Sequence, residues 1–374
     1  MNILQIISGG ETGGSKTHIL NVCQYFKKKH INAILVCLID GKLYQDALIL
    51  GIDAILVEQK SRFNLDVVNK IGNIISKNKI DIVHSHGGRA NFICHYLKKR
   101  YSIPFVTTIH SDYLQDYMGN VFKSIVFSHI NKYVLKRFDS YIAISDEFKK
   151  MLVDRGFNKD KISVVYNGID FDRQLQFLDK KELCTKYGID VKENDKIISI
   201  VARLHPIKGH TVFIDSCRLV LKKYDNIKII IAGDGALRTE LVNYVRELGL
   251  NKYIYFIGEV NSSYDILYNS YVSVLASYSE SFPFVLLESA FTKTPVIASN
   301  VGGINKLIIE GETGYIFKPG DSTLLAAKIE KILNDENLRN ALGTNLYKYA
   351  SDNYSLEAMC LEIIDIYSKL IKHT

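Results

Sequence analysis

What most constrains this chain is a rhythm that runs through its first half and then starts again. Short β-branched and aliphatic runs at residues 2–8, 33–38, 54–57, 81–85, 105–109, 140–144 and 162–166 alternate with amphipathic stretches such as 18–29 and 67–78. After a polar stretch at 179–195, strand-like runs recur at 197–201, 227–232, 254–257, 272–276 and 295–299, again separated by helical patterns. Strand runs alternating with helical patterns indicate βαβ units on a parallel sheet. The expected fold is therefore α/β, with two Rossmann-like domains in series at residues 1–178 and 195–354. A length of 374 residues suits two domains at roughly 100–200 residues each. In open parallel sheets the ligand sits beyond the carboxyl ends of the strands. Two such domains facing each other would put a site in the interdomain cleft, with its motifs just after strands.

Composition excludes several classes. Hydrophobic residues make up 47% and charged residues 23%, with only 5 prolines, as in a folded protein and not a disordered or collagen-like one. Apolar runs such as 33–39 fall far short of the roughly 20 residues a membrane helix needs. Residues 1–7 read as a strand without the basic head and cleavage site of a secretory signal, so a cytoplasmic location is expected. Cys23, Cys37, Cys94, Cys184, Cys217 and Cys360 are scattered without a CxxC pair, which suits reduced, buried thiols better than zinc or disulfide frameworks. The net charge of +7 lies wholly in residues 1–172, which hold 23 basic and 16 acidic residues, whereas residues 173–374 hold 24 of each. A basic half beside a neutral one suits an anionic partner such as a lipid surface. Nucleic acid fits less well, because no helix-turn-helix, zinc-finger or aromatic RNP pattern accompanies the charge.

The motifs stand after strands. Ser8-Gly9-Gly10-Glu11-Thr12-Gly13-Gly14-Ser15 follows the first run. Its glycines would let backbone N–H groups approach a phosphate or sugar at a helix start, or would simply make a tight turn. The spacing is neither that of a dinucleotide fingerprint nor that of a P-loop, which disfavours a dehydrogenase. In the second half, Arg203-Leu204-His205-Pro206-Ile207-Lys208-Gly209 follows its first strand. An Arg fork plus a Lys point charge suits a diphosphate, the alternative being an Arg203 that binds a carboxylate within the domain. Glu280 and Glu288 straddle the apolar Ser281-Phe282-Pro283-Phe284-Val285-Leu286-Leu287. Carboxylates so placed are costly to bury without partners. Glu288 could accept hydrogen bonds from ligand hydroxyls while the free N–H groups of the helix start hold an anion; structural caps are the alternative. His84 and His86, alternating at a strand end without a third ligand, are too thin for a metal pair and read as acceptor-side or structural.

These segments together resemble the retaining glycosyltransferases of family 4, in the GT-B arrangement of two facing Rossmann-like domains. The resemblance runs along nearly the whole chain. It takes in the glycine-rich turn, Asp81-Ile82-Val83-His84-Ser85-His86, Thr108-Ile109-His110-Ser111-Asp112, Val165-Tyr166-Asn167-Gly168-Ile169-Asp170, Arg203 to Lys208, Ala232-Gly233-Asp234-Gly235, the Glu280 to Glu288 motif, Val301-Gly302-Gly303 and Glu312-Thr313-Gly314. The paired glutamates with the upstream Arg and Lys are its most specific part.

The resemblance implies a donor site and its roles. Arg203 and Lys208 would grip the diphosphate of a nucleotide-sugar and stabilise the charge of its departure in place of a metal. Glu288 would bind the ribose hydroxyls, with Gly258 and Val260 near the base and Phe282, Phe284 and Val285 in the donor loop. Glu280 and His110 would contact the transferred sugar, with Gly13 and Gly14 closing over it or over the phosphates. Glu280 would position the donor and not attack it. No metal and no cofactor is implied, the nucleotide-diphosphate sugar being a substrate. An amphipathic helix near the end, within 355–374, would join the first domain. Two departures bear on donor preference: Tyr166 where proline commonly precedes Asn-Gly, and Asn305-Lys306 where Pro-Glu commonly follows Val-Gly-Gly-Ile.

The expected activity is thus metal-independent retaining transfer of a hexose or N-acetylhexosamine from a nucleotide-diphosphate sugar, UDP first and GDP second. The acceptor would be a lipid-linked sugar or polysaccharide of cell-envelope, capsule or exopolysaccharide synthesis. Residues 121–138 read as a helix with basic and apolar faces that would suit either an anionic bilayer, peripherally on the inner face of the cell membrane, or a core contact. The competing readings are a nucleotide-sugar epimerase of similar shape and a non-catalytic glycan- or membrane-binding protein.

Overall fold

A computed structural model describes residues 1–61, 64–112 and 132–372. The chain divides into two compact units, Met1–Gly168 with Leu356–Thr374, and Ile169–Ser355. The first contains β1 (Asn2–Ile7), α1 (Gly14–Lys28), β2 (Asn32–Cys37), α2 (Lys42–Ile49), β3 (Ala54–Leu56), α3 (Asp66–Lys77), β4 (Ile82–His86), α4 (Gly87–Leu97), β5 (Phe105–Ile109), β6 (Ser140–Ala143), α5 (Asp146–Asp154) and β7 (Ile162–Val164). The second contains α6 (Lys180–Tyr187), β8 (Lys196–Val201), α7 (His210–Val220), β9 (Ile227–Ala232), α8 (Arg238–Glu247), β10 (Ile254–Gly258), α9 (Tyr264–Tyr268), β11 (Val272–Leu275), α10 (Phe284–Phe291), β12 (Val296–Ser299), β13 (Tyr315–Phe317), α11 (Ser322–Leu333) and α12 (Glu336–Asn353). The last helix, α13 (Leu356–Lys372), belongs to the first unit.

Both sheets are parallel, with strand order β3-β2-β1-β4-β5-β6-β7 in one and β10-β9-β8-β11-β12-β13 in the other. Their strands are nearly continuous apolar runs because helices cover both faces. On one face of the first sheet, Leu4, Ile6, Val83 and Phe105 pack with Val67, Ile71 and Ile75 of α3 and Ile93 and Leu97 of α4. The helical residues recur at three- and four-residue intervals, which puts them on one stripe. On the other face, Ile3, Ile82 and Val106 pack with Val22 and Phe26 of α1 and Met359, Cys360, Ile363 and Tyr367 of α13. The chain winds outward from β1 to β3 and then returns to place β4 beside β1. It does the same from β8 to β10, returning with β11 beside β8. Each reversal opens a crevice at the strands' carboxyl ends, which is where ligands bind in such sheets.

Two local features differ from the sequence reading. The polar stretch 179–195 contains α6, started by a capping box in which Asp179 and Glu182 exchange hydrogen bonds with each other's backbone N–H, and ended by Gly188 at φ +64°. Strand β13 is a three-residue run set between Gly314 and Pro319-Gly320, turn residues that hide it as a strand. Of the expected helix 121–138, residues 121–131 lie outside the described residues, while Val134 is buried and Tyr133 exposed. Among the described residues no helix is long and apolar enough to cross a membrane. All six cysteines are buried thiols, and burial pushes the Cys94 thiol up to about 12, which leaves it unreactive.

Candidate active site: two crevices of opposite chemistry

In the second unit the crevice between β8 and β11 is charged. The chain leaves β8 at Val201 and passes through Arg203 to a 3-10 turn at Pro206–Lys208, whose first N–H donates to the His205 side chain. Gly209 then turns at φ +65°, with a Cβ there only 2.0 Å from the Ala276 carbonyl oxygen, so only glycine lets this loop lie against the end of β11. That approach brings Lys208 Nζ to within 2.6 Å of Glu280 Oε1, which also accepts from Ser277 Oγ at 2.6 Å. The Glu280 side chain is 8% exposed and that of Lys208 21%; the ion pair and the hydroxyl together offset the desolvation of the carboxylate. Arg203 is exposed, and no hydrogen bond or ion pair holds it among the described residues. The structural alternative, an Arg203 bound to a carboxylate of its own domain, therefore has no support.

Two further motifs buttress this crevice. A Cβ on Gly302 would sit 1.8 Å from the Glu280 carbonyl oxygen, and the Gly303 N–H donates to Ser281 O at 2.8 Å, so the glycine pair locks the Glu280 loop. Gly233 and Gly235 press in the same way on the carbonyls of Ala202 and Leu204, fixing the loop that carries Arg203. Phe282 and Phe284 are buried in the core, which leaves their backbone as what they can offer a ligand. The first N–H groups of α10, at Phe284 and Val285, lack intrahelical acceptors, as at every helix start. Glu288 lies one turn further along α10 and accepts from Ser263 Oγ at 2.6 Å. Burial raises its carboxyl above the usual range, against the pull of that hydrogen bond and of the Arg173 charge. Gly258 ends β10 at φ +77°, and Val260 packs in the following loop.

Sequence reasoning missed Arg173, Ser263 and Tyr264. The Arg173 guanidinium lies 4.1 Å from the ring centroid of Tyr264 and 5.2 Å from that of Phe291, and its Nε and Nη2 are buried without a hydrogen-bond partner among the described residues. A cation stacked on aromatics with unspent donors suits an anion or hydroxyl. Arg173 and the Ser263-Tyr264 pair come from two separate segments, both far from Glu288 in sequence, so no spacing could have revealed them.

In the first unit the crevice between β1 and β4 holds one carboxylate, Glu11, whose Oε2 accepts from the Gly9 N–H at 2.7 Å, beside a cluster of neutral rings. Gly13 caps α1 at φ +65° and Gly14 is its first residue; a Cβ on Gly13 would touch nothing within 4 Å, so backbone angle alone calls for glycine there. Behind this turn four imidazoles meet. The Gln5 amide of β1 donates to the Tyr367 hydroxyl at 3.0 Å, and its oxygen lies 2.9 Å from His86 Nε2. His86 Nδ1 lies 3.0 Å from His110 Nε2. His18 of α1 places Nδ1 3.0 Å from Asn167 Oδ1. Both nitrogens of His84 are engaged, Nδ1 with the Tyr367 hydroxyl at 2.5 Å and Nε2 with Thr108 Oγ1 at 2.7 Å. His84 is structural, therefore, whereas His86 holds His110. Burial keeps all four imidazoles neutral: it lowers His18 to about 4 and holds His84, His86 and His110 well below their ordinary value.

The chain has counterparts among known proteins. Residues 186–349 match the family described as Glycosyl transferases group 1, and residues 12–173 match Glycosyltransferase Family 4. An uncharacterized glycosyltransferase of Methanocaldococcus jannaschii is 30% identical over 313 residues, covering 81% of this chain and 78% of its own. The UDP-Gal:alpha-D-GlcNAc-diphosphoundecaprenol alpha-1,3-galactosyltransferase of Escherichia coli is 27% identical over 306 residues, covering 76% and 78%. The structure of Anabaena HepE, solved in complex with UDP-glucose, matches with a TM-score of 0.83 over 99% of this chain and 100% of that one. At 20% identity it shows the fold, two Rossmann-like sheets of the GT-B class. With both halves matched in order and a 30% identical relative covered over most of its length, the chain belongs to the glycosyl transferases group 1, the family 4 retaining glycosyltransferases.

Proposed function

We propose that this glycosyltransferase is metal-independent and moves a hexose or N-acetylhexosamine from a UDP-sugar, with GDP-sugar as second choice, to a lipid-linked or polysaccharide acceptor. The observation that carries the reading is the charged crevice of the second unit. There an exposed Arg203 without a partner and a Lys208 held by Glu280 stand with the α10 N-terminus at the carboxyl end of one sheet. Two cations and a helix start match the charge of a diphosphate and strengthen as that charge grows on departure. Glu288, with Ser263 and Arg173 around it, takes the ribose hydroxyls; Gly258 and Val260 lie by the base. Phe282, Phe284 and Val285 shape the donor loop through their backbone. Glu280 and His110 contact the sugar, and Gly13 and Gly14 approach the phosphates or sugar through their backbone. The preference for uridine draws on the UDP-glucose bound by HepE and on the UDP-Gal in the name of the E. coli relative.

Chemistry on this reading needs no protein nucleophile. The bond from the anomeric carbon to the diphosphate oxygen breaks, and the acceptor oxygen bonds to that carbon from the same face. The acceptor proton passes to the departing diphosphate, while the enzyme orients both partners and excludes water. The surplus of basic residues in 1–172 and the diphosphoundecaprenol-linked acceptor named for the E. coli enzyme favour envelope, capsule or exopolysaccharide synthesis at the inner face of the membrane, with the enzyme bound peripherally. The test is transfer from UDP-hexoses to an undecaprenyl-diphosphate-linked sugar, with EDTA present and the product's anomeric configuration read by NMR. An α-linked product at an undiminished rate is expected; inversion, or loss of activity restored by Mg²⁺, would overturn the reading.

A further inference from the structure

The histidines of the first unit have a property that donor binding does not require. His18, His86 and His110 reach one point from α1, β4 and the loop after β5, and one ring nitrogen from each lies within 4.8 Å of the other two. Asn167 Oδ1 and Gln5 Oε1 can only accept hydrogen bonds, so the nitrogens facing them, His18 Nδ1 and His86 Nε2, carry the protons. The lone pairs therefore sit on His18 Nε2 and His86 Nδ1. An imidazole whose far nitrogen donates to a side-chain oxygen is arranged as metal-ligating histidines are, with the outer partner fixing the tautomer. Two of the three rings are already set in this way. Moreover, His18 Nε2 is buried with no hydrogen-bond partner among the described residues. An acceptor left so costs on the order of 1–3 kcal/mol.

We propose that His18, His86 and His110 form a binding site for one transition-metal ion of the Zn²⁺ class, and that filling it withdraws His110 from the donor sugar. The ion takes the lone pairs of His18 Nε2 and His86 Nδ1. It takes the place of the proton that His110 Nε2 now donates to His86 Nδ1, 3.0 Å away, and that proton passes to His110 Nδ1, so the ring stays neutral. Bonds of about 2.0–2.1 Å in a tetrahedral site put ligand nitrogens about 3.3 Å apart, so a modest turn of the rings closes the set. Three imidazoles leave a fourth position for water. Neutral nitrogen ligands without a carboxylate select Zn²⁺, Co²⁺, Ni²⁺ or Cu²⁺ and reject Mg²⁺ and Ca²⁺. His84 takes no part, since Tyr367 and Thr108 occupy both its nitrogens. Metal binding stands on this geometry alone; only its effect on transfer rests on the role proposed for His110.

The test is a Co²⁺ titration of the tag-free chain, followed through the visible d–d bands of a four-coordinate site. The expected result is one equivalent bound, displaced by Zn²⁺ and untouched by excess Mg²⁺. His110→Ala, at a half-buried position, should abolish the bands; Gln5→Leu should weaken binding about 10–100-fold, as loss of an outer partner does. Absence of the bands in the wild-type chain, or bands that survive His110→Ala in folded protein, would overturn the site. In the transfer assay Zn²⁺ should inhibit and EDTA restore the rate. Bound Zn²⁺ that leaves the rate unchanged would overturn the competition for His110. Absence of transfer from any UDP-sugar, with or without metal, would instead count against the donor reading and leave the site standing.

Discussion

The crevice between β8 and β11 and the crevice between β1 and β4 occupy the same place in two sheets of the same design, yet one is built around an ion pair and a spare cation and the other around neutral rings beside a lone carboxylate, Glu11. In the second unit a nearly buried carboxylate, Glu280, keeps its charge because Lys208 and Ser277 reach it at 2.6 Å. In the first, with no such counter-ion among the interactions of His18, His84, His86 and His110, burial holds the imidazoles neutral and amide oxygens order them. Topology therefore sets where a ligand can sit, and the side chains at the reversal decide what it can be. A crevice with spare cations suits a diphosphate. One with oriented neutral donors and acceptors suits hydroxyls, or a soft cation.

The sharpest way to break this comparison is to remove the cations. Arg203→Ala should lower turnover about 10²–10³-fold, as loss of a group that stabilises transition-state charge does, with the melting temperature unchanged because Arg203 is exposed and unpaired. Lys208→Ala should cost as much turnover and also about 3 kcal/mol of stability, since it strands Glu280. Adding Glu280→Gln to Lys208→Ala should restore stability without restoring turnover. Steady-state kinetics and chemical denaturation check each point. If both single variants turn over normally, the charged crevice is not the diphosphate site.

The histidine crevice is sharpened by acid. His18, lowered to about 4 in the fold against an ordinary value of about 6.5, is neutral in the folded chain and protonates first in the unfolded one. Its contribution is complete above about pH 6.5 and is lost as the pH falls towards 4, about 3 kcal/mol in all. His210, at the start of α7, is lowered by burial in the same way, so the His18 share is isolated by difference. Denaturation from pH 7 to 4.5 should show a shallower loss in His18→Asn than in the wild-type chain. Equal slopes would mean that His18 is not a buried neutral ring.

Much of this was legible in the sequence. The repeated alternation gave both sheets, because buried parallel strands read as apolar runs, and the missed β13 is masked by the turn residues Gly314 and Pro319-Gly320 on either side of it. Arg203, Lys208, Glu280 and Glu288 stood out because charge in an apolar loop is costly and therefore visible. His18 did not: it lies in the second turn of α1 among residues that read only as helix, and its partners Asn167, His86 and His110 are brought to it by the sheet. Arg173 and Ser263 beside Glu288 were hidden for the same reason. Spacing reveals residues that share a loop or a helix, and says nothing of those that meet only after the sheet has formed.

The most direct test of the central claim is a calorimetric titration of the chain with UDP, GDP and ADP. Saturable binding of UDP in preference to the others, weakened about 10-fold or more in Glu288→Ala by loss of the ribose contacts, is the predicted result. No binding of any of the three, or UDP affinity untouched by that substitution, would contradict it.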